Sequence, residues 1–149
     1  MDRLSELVKN LTSLLEELIR VEERKLEAAR DGRVVAVEDC MKEEQVFTMQ
    51  FRACEKKVDE VLAEEGFAGK SLSGIIPLLS GKRREELEAL QRRLQDTLSH
   101  YHEVSDAAAE LMKVQLYKMD RKLEEAGKGK AAEHPGPGQS GKGFHPRKA

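Results

Sequence analysis

The side chains best suited to chemistry in this sequence are Asp96, His100 and Glu103, which fall at i, i+4 and i+7 and share one face of any helix that carries them. An imidazole between two carboxylates is part of a metal site or the setting of a phosphotransfer histidine. His102 cannot join them, because it lies about 200° around such a helix from His100. No second Glu-x-x-His or other histidine-bearing set supplies the missing ligands, so this face reads as solvated and no metal is expected. Cys40 and Cys54 are 14 residues apart. On one helix that is about 21 Å, against a limit of about 7 Å between the Cα atoms of a disulfide. Glu38, Asp39, Glu43, Glu44 and Glu55 flank the two cysteines, and such acids raise a thiol pKa, so both read as reduced core residues and not as nucleophiles. Gly69-Lys70-Ser71 has the ending of a phosphate-binding loop, but Glu64 occupies the required earlier glycine position and no strand precedes it. No catalytic constellation, cofactor site or metal site remains, and the chain is not expected to be an enzyme.

The elements that would position these residues follow from composition and punctuation. Of 149 residues, 36% are charged, 39% hydrophobic and only 4% aromatic, with no Trp. That balance favours long charged helices around a narrow aliphatic core. Gly and Pro are absent from 1–31, 33–65 and 82–126, which predicts three long helices. In the first, Leu4, Leu7, Val8, Leu11, Leu14, Leu15, Leu18 and Ile19 recur at spacings of three and four. Gly32 suits a helix C-cap whose short link makes the first two helices antiparallel neighbours. The second helix continues through Val37, Cys40, Met41, Phe47, Phe51, Cys54, Val58, Val61 and Leu62, with Glu44 interrupting the stripe. Val34-Val35-Ala36-Val37 reads as its first turn, since a lone strand cannot pair its backbone.

The passage 66–80 is a connector with a helical turn or two, in which Pro77 biases Ile76 away from helix. Ser80 is an N-cap candidate for the last helix, whose stripe runs through Leu87, Leu90, Leu94, Leu98, Tyr101, Val104, Ala108, Leu111, Met112, Leu116, Met119 and Leu123. The expected fold is all-α: an elongated antiparallel bundle of three long, coiled-coil-like helices at about 2–30, 34–65 and 81–126, with a short helical connector before the last. These form a single domain, 1–126. The remaining 23 residues, 127–149, hold six Gly and three Pro with Phe144 as the only large apolar side chain, a composition expected to give a disordered tail.

At about 45 residues and nearly 70 Å, the last helix should overrun the other two by about ten residues, or about 15 Å. Val114 and Tyr117 project about 150° away from its main stripe, so that end is apolar on more than one side. Such an overhang, rich in Met and Leu, suits an amphipathic helix from a partner.

Charge narrows the partners. The tail carries five basic residues and one acidic, a net +4, which leaves −6 on residues 1–126 of a chain whose total is −2. An acidic body offers no cationic face for nucleic acid. There is no run of 18 apolar residues and no basic-then-apolar leader, so no stable membrane insertion is expected and a cytoplasmic location is.

In layout these pieces resemble the FlgN-like family of flagellar export chaperones. Leu11-Thr12-Ser13-Leu14-Leu15-Glu16-Glu17-Leu18 is similar to that family's opening helix, and Ala28-Ala29-Arg30-Asp31-Gly32-Arg33-Val34 to its break before the second. Ser71-Leu72-Ser73-Gly74-Ile75-Ile76-Pro77-Leu78-Leu79, followed by Arg84-Glu85-Glu86-Leu87, resembles its connector and the start of its long last helix. The closing Phe144-His145-Pro146-Arg147-Lys148-Ala149 is similar to the aromatic-then-basic ending of some members. The resemblance implies a chaperone of type III export that binds terminal helical segments of hook-filament junction proteins, prevents their premature assembly and delivers them to the export gate. The client surface would be Leu111, Met112, Val114, Leu116, Tyr117, Met119 and Leu123. Members often carry a gate-contacting tyrosine where this chain reads Gly127-Lys128-Gly129-Lys130, which leaves Tyr117 or Phe144 for that contact. The alternative reading is a self-associating helical scaffold, a homodimer through the same overhang.

Overall fold

The structure is a computed structural model that describes residues 2–125 and Pro146, excepting the side chains of Leu116, Met119, Asp120 and residues 122–125. The expectation of a disordered tail concerns residues outside those described, apart from Pro146. Helix α1 spans Arg3–Arg30, α2 Val34–Glu64, α3 Leu72–Ile75 and α4 Gly81–Glu125, with a 3₁₀ turn at Ile76–Leu78 between the last two. There are no strands among the described residues. The three long helices and the short helical connector are those the Gly and Pro punctuation predicts.

The termini show why the helices begin and end where they do. Asp2 caps α1 by accepting a hydrogen bond from the Leu4 backbone N–H at 3.3 Å, with Glu6 in the first turn and Arg30 in the last, each favoured there by the helix dipole. At the far end Gly32 takes φ +69°, which lets the Arg33 N–H reach back to the Ala28 carbonyl at 2.9 Å and the Gly32 N–H to Ala29 at 3.2 Å. This Schellman arrangement satisfies carbonyls that the helix itself leaves open. The same device ends α2 at Gly66, φ +86°, where the Phe67 N–H donates to Leu62 at 2.7 Å and the Phe67 ring packs onto the core.

In the connector, the Ser71 hydroxyl accepts from the Gly74 N–H at 3.1 Å, and Leu72, Ile75 and Ile76 turn inward to close one end of the core. Ile76 is helical (φ −52°, ψ −46°), contrary to the bias expected from Pro77. The proline sits in the first turn of the 3₁₀ segment, where its missing N–H costs nothing. Ser80 contributes a backbone carbonyl, which accepts from Arg84 at 3.5 Å.

Helix α1 is the centre of the molecule. It packs along both α2 and α4, whereas those two scarcely meet each other. Arg83 near the start of α4 bonds to Asp2 at 2.8 Å and to Glu65 at 2.5 Å. That contact places the start of α4 beside the start of α1 and the end of α2, so α1 and α4 run parallel and α2 runs antiparallel to both. The core consists of Leu4, Val8, Leu11, Leu15, Leu18 and Ile19 of α1 against Phe51, Cys54, Val58, Val61 and Leu62 of α2 and Leu87, Leu94, Leu98 and Tyr101 of α4. Having only one neighbour, α2 buries a narrower stripe than its sequence suggests, and Met41, expected on that stripe, is exposed. Arg24–Glu43, at 3.0 and 3.1 Å, and Arg3–Glu64, at 3.1 Å, tie α1 to α2 along its exposed edge. Pairs this exposed add little to stability, and their visible role is register.

Candidate interaction surface

The end of the bundle at the α1–α2 turn is where α4 outruns its neighbours. Ala28, Ala29 and Val37 form a small second core there, and Leu111 and Met112 pack half-buried against it with Ala36. Those two residues, expected in a partner-binding surface, thus also close the molecule's own core. Beyond them Lys113–Glu125, thirteen residues, continue α4 for about 20 Å. Val114 is 42% exposed and Tyr117 61%. Their position about 150° from the packed stripe leaves them nothing in the bundle to cover them. The Arg121 guanidinium lies 6.0 Å from the Tyr117 ring centre and donates to its hydroxyl at 3.3 Å, one turn along. Leu116, Met119 and Leu123, the remaining residues of the expected surface, have side chains outside those described, as does Phe144.

Two further apolar residues belong to this end, though the sequence marks them only as part of a helix's first turn. Val34 and Val35, in the first turn of α2, are exposed beside the second core that Val37 enters. The signal was present in Val34-Val35-Ala36-Val37: a helix's first turn with three valines can bury only those that face a neighbour.

Just inside this end lies the most unusual polar group of the molecule. Glu22 of α1 is 1% exposed. Lys25 donates to its Oε1 at 3.1 Å and to Oε2 of Glu44 in α2 at 2.7 Å, while Oε2 of Glu22 has no donor. A buried carboxylate oxygen without a donor is costly, and a proton on it removes the cost. Burial, reinforced by a hydrogen bond with Glu44, pushes the Glu22 carboxyl up to about 8. Glu44 goes the other way: burial opposes its charge, but hydrogen bonds from Glu22 and Lys25 outweigh that and lower its pKa. The interruption that Glu44 makes in the α2 stripe is therefore filled by polar partners on α1. The fully buried Tyr101 lies in the field of both acids and hydrogen-bonds with Ser105, and burial chiefly raises its pKa.

The residues read for chemistry lie apart from this surface. His100 Nδ1 and Glu103 Oε2 are 4.0 Å apart, both largely in solvent, and Asp96 is exposed on the same helix. Among the described residues no group of three or more His, Cys, Asp or Glu side chains is disposed to hold a metal ion. Cys40 and Cys54 are buried and unpaired by disulfide, and the Cys54 thiol donates to the Leu7 carbonyl at 3.4 Å. Burial, ahead of the neighbouring acids, is the larger cause of both raised thiol pKa values. No helix among the described residues is long and apolar enough to cross a membrane.

The described residues thus form an elongated all-helical bundle with a buried aliphatic seam and with Val114 and Tyr117 exposed beyond its second core. A family model described as FlgN protein matches residues 1–133, and the chain belongs to that family, whose members serve as flagellar export chaperones and are not generally enzymes. No curated protein and no solved structure gives a significant match.

Proposed function

We propose that the protein is a cytoplasmic chaperone of type III export that holds terminal helical segments of hook-filament junction proteins on the last turns of α4. The observation that carries this reading is the 20 Å run of α4 past the α1–α2 turn, with Val114 and Tyr117 exposed at its base. A client wrapped around this run would cover Val114 and Tyr117 on one face and Leu116, Met119 and Leu123 on the stripe about 150° around the helix, and abut Leu111 and Met112 where they leave the core. Val34 and Val35 extend the apolar rim towards α2. Clients that are unfolded or weakly helical before assembly must order as they bind, which keeps affinity moderate for a large contact and allows later release. Prevention of premature assembly follows from covering the segment that would otherwise pair with its neighbours. Delivery to the export gate is assigned to the tail, with Phe144 as the contacting aromatic.

The test is a titration of a purified hook-filament junction protein against the native chain and a Val114→Asp/Tyr117→Asp variant. Both residues lie outside the two cores, so the fold is expected to survive. Burying two such side chains is worth about 3–4 kcal/mol, or a loss of affinity of at least 100-fold when they become charged. Unchanged affinity would remove this surface from the account.

A further inference from the structure

Because α2 and α4 both pack on α1 but scarcely on each other, a groove runs between them. Leu11 and Leu15 form its floor, Phe51 and Val58 one wall, Leu94 and Leu98 the other, and the connector at Gly69–Leu72 closes one end. A gap between two helices should leave its lining wet, yet these six side chains are only 0–7% exposed. Beyond α4, the one described residue is Pro146, and it too is buried. We propose that the chain's own closing segment, Phe144–Lys148, lies in the α2–α4 groove, with the Phe144 ring among the leucines and Arg147 and Lys148 towards the acidic edge formed by Glu55 and Asp59.

Size, reach and charge each support this occupant. The groove encloses about 390 Å³. That is room for a few side chains, with the backbone of an extended segment lying on the open side of the groove. Leu94–Leu98 lie 27 to 31 residues back from the end of α4, about 40–47 Å along the helix axis. The 18 residues 126–143 can span about 60 Å when extended, and six of them are glycine. Phe144 is the only large apolar side chain of the tail, and it stands three residues before Arg147-Lys148. On the groove wall Glu55 and Asp59 are four apart, one helical turn, beside Phe51 and Val58. An aromatic followed by two cations thus meets a wall on which two carboxylates alternate with apolar side chains, against one lining cation, Lys70 of the connector. This placement stands independently of the client reading. Held in the groove, Phe144 would be available to an export gate only after the tail leaves it, so docking would control that contact.

The test uses the full chain with the photo-cross-linker p-benzoylphenylalanine in place of Phe144, irradiated alone at low micromolar concentration and mapped by mass spectrometry. Intramolecular cross-links to Phe51, Val58, Leu94 or Leu98 are expected, with a yield that falls at least threefold in a Glu55→Lys/Asp59→Lys background. Cross-links confined to α4 beyond Met112, cross-links only between two copies, or none would overturn the placement. A yield undiminished by the charge reversal would overturn the pairing of Arg147 and Lys148 with that edge. No client or gate protein is present, so failure here would leave the client assignment standing, and failure of the client titration would leave this one.

Discussion

Replacing Tyr101 by alanine is expected to lower the midpoint of thermal unfolding by roughly 10–20 °C. Tyr101 is the largest fully buried side chain in the molecule. Its ring belongs to the main core, contributed by α4 against α1. Truncating a buried aromatic to alanine removes about 3–5 kcal/mol, the lost transfer energy plus the cavity left behind. The cavity cannot easily collapse here, because α4 is a single unbroken helix and α1, its main neighbour, is held on its other side by α2. Tyr101→Phe separates packing from polarity: it keeps the ring and loses only the hydrogen bond to Ser105, an expected cost of about 1 kcal/mol. Circular dichroism melts of the three proteins at one pH check both values. An alanine variant that melts within 3 °C of the native protein would mean that the α1–α4 seam is looser than described.

The second large effect is a dependence on pH that runs opposite to ordinary acid denaturation. A carboxyl whose folded pKa is raised to about 8 binds its proton more tightly in the folded than in the unfolded chain. The stability it contributes is therefore complete below its ordinary value near 4.5 and is lost as pH rises from there through 8. Glu44, with its pKa lowered, contributes in the other direction, and that part is lost as pH falls below its ordinary value. Between pH 5 and 8.5 the Glu22 effect dominates, and the native protein is expected to become less stable as pH rises. Glu22→Gln supplies an amide donor towards Glu44 and an acceptor for Lys25 without a titrating proton. At pH 8.5 it should raise the unfolding midpoint by roughly 5–10 °C, corresponding to about 2–3 kcal/mol, and at pH 5 it should change little. Melts at the two pH values check this. A variant destabilised equally at both would mean that Glu22 is charged in the fold and held by Lys25 alone.

Much of the fold could be read directly because helix ends are decided locally. Gly32 and Gly66 occupy left-handed positions that few other residues accept, and the Gly- and Pro-free stretches between such points coincide with α1, α2 and α4. The leucine rhythm marks the α1 face correctly because α1 has neighbours on two sides. It overstates α2, which has one, and so misplaces Met41. Ile76 is helical against the expectation because a proline's bias on its neighbour is a tendency of isolated dipeptides, and the connector overrides it. Glu44 looked like a flaw in a stripe because its partners, Glu22 and Lys25, are 22 and 19 residues away in sequence and meet it only once α1 and α2 are paired. The same distinction governs the interaction surface. Leu111 and Val114 are three residues apart, yet one faces Ala28 and Val37 and the other solvent. Where that boundary falls depends on where the α1–α2 turn stops beside α4, a quantity that no local pattern in α4 contains. The use of the α2–α4 groove was equally hidden, since helical spacing shows that a residue faces inward but not which neighbour it meets.

The central claim is that the uncovered end of α4 holds the client, and the most direct measurement compares the full chain with a version ending at Lys113 for capture of a purified hook-filament junction protein. A cut there keeps Leu111 and Met112 on the second core and removes the extension together with the tail, so a version ending at Glu125, which lacks the tail alone, is measured beside it and is expected to retain the client. Retention of the junction protein by the full chain, with at least tenfold less by the one ending at Lys113 at equal helicity per residue, is the predicted result. Equal retention by both would move the client into the bundle, and retention by neither would contradict the assignment of hook-filament junction proteins as clients.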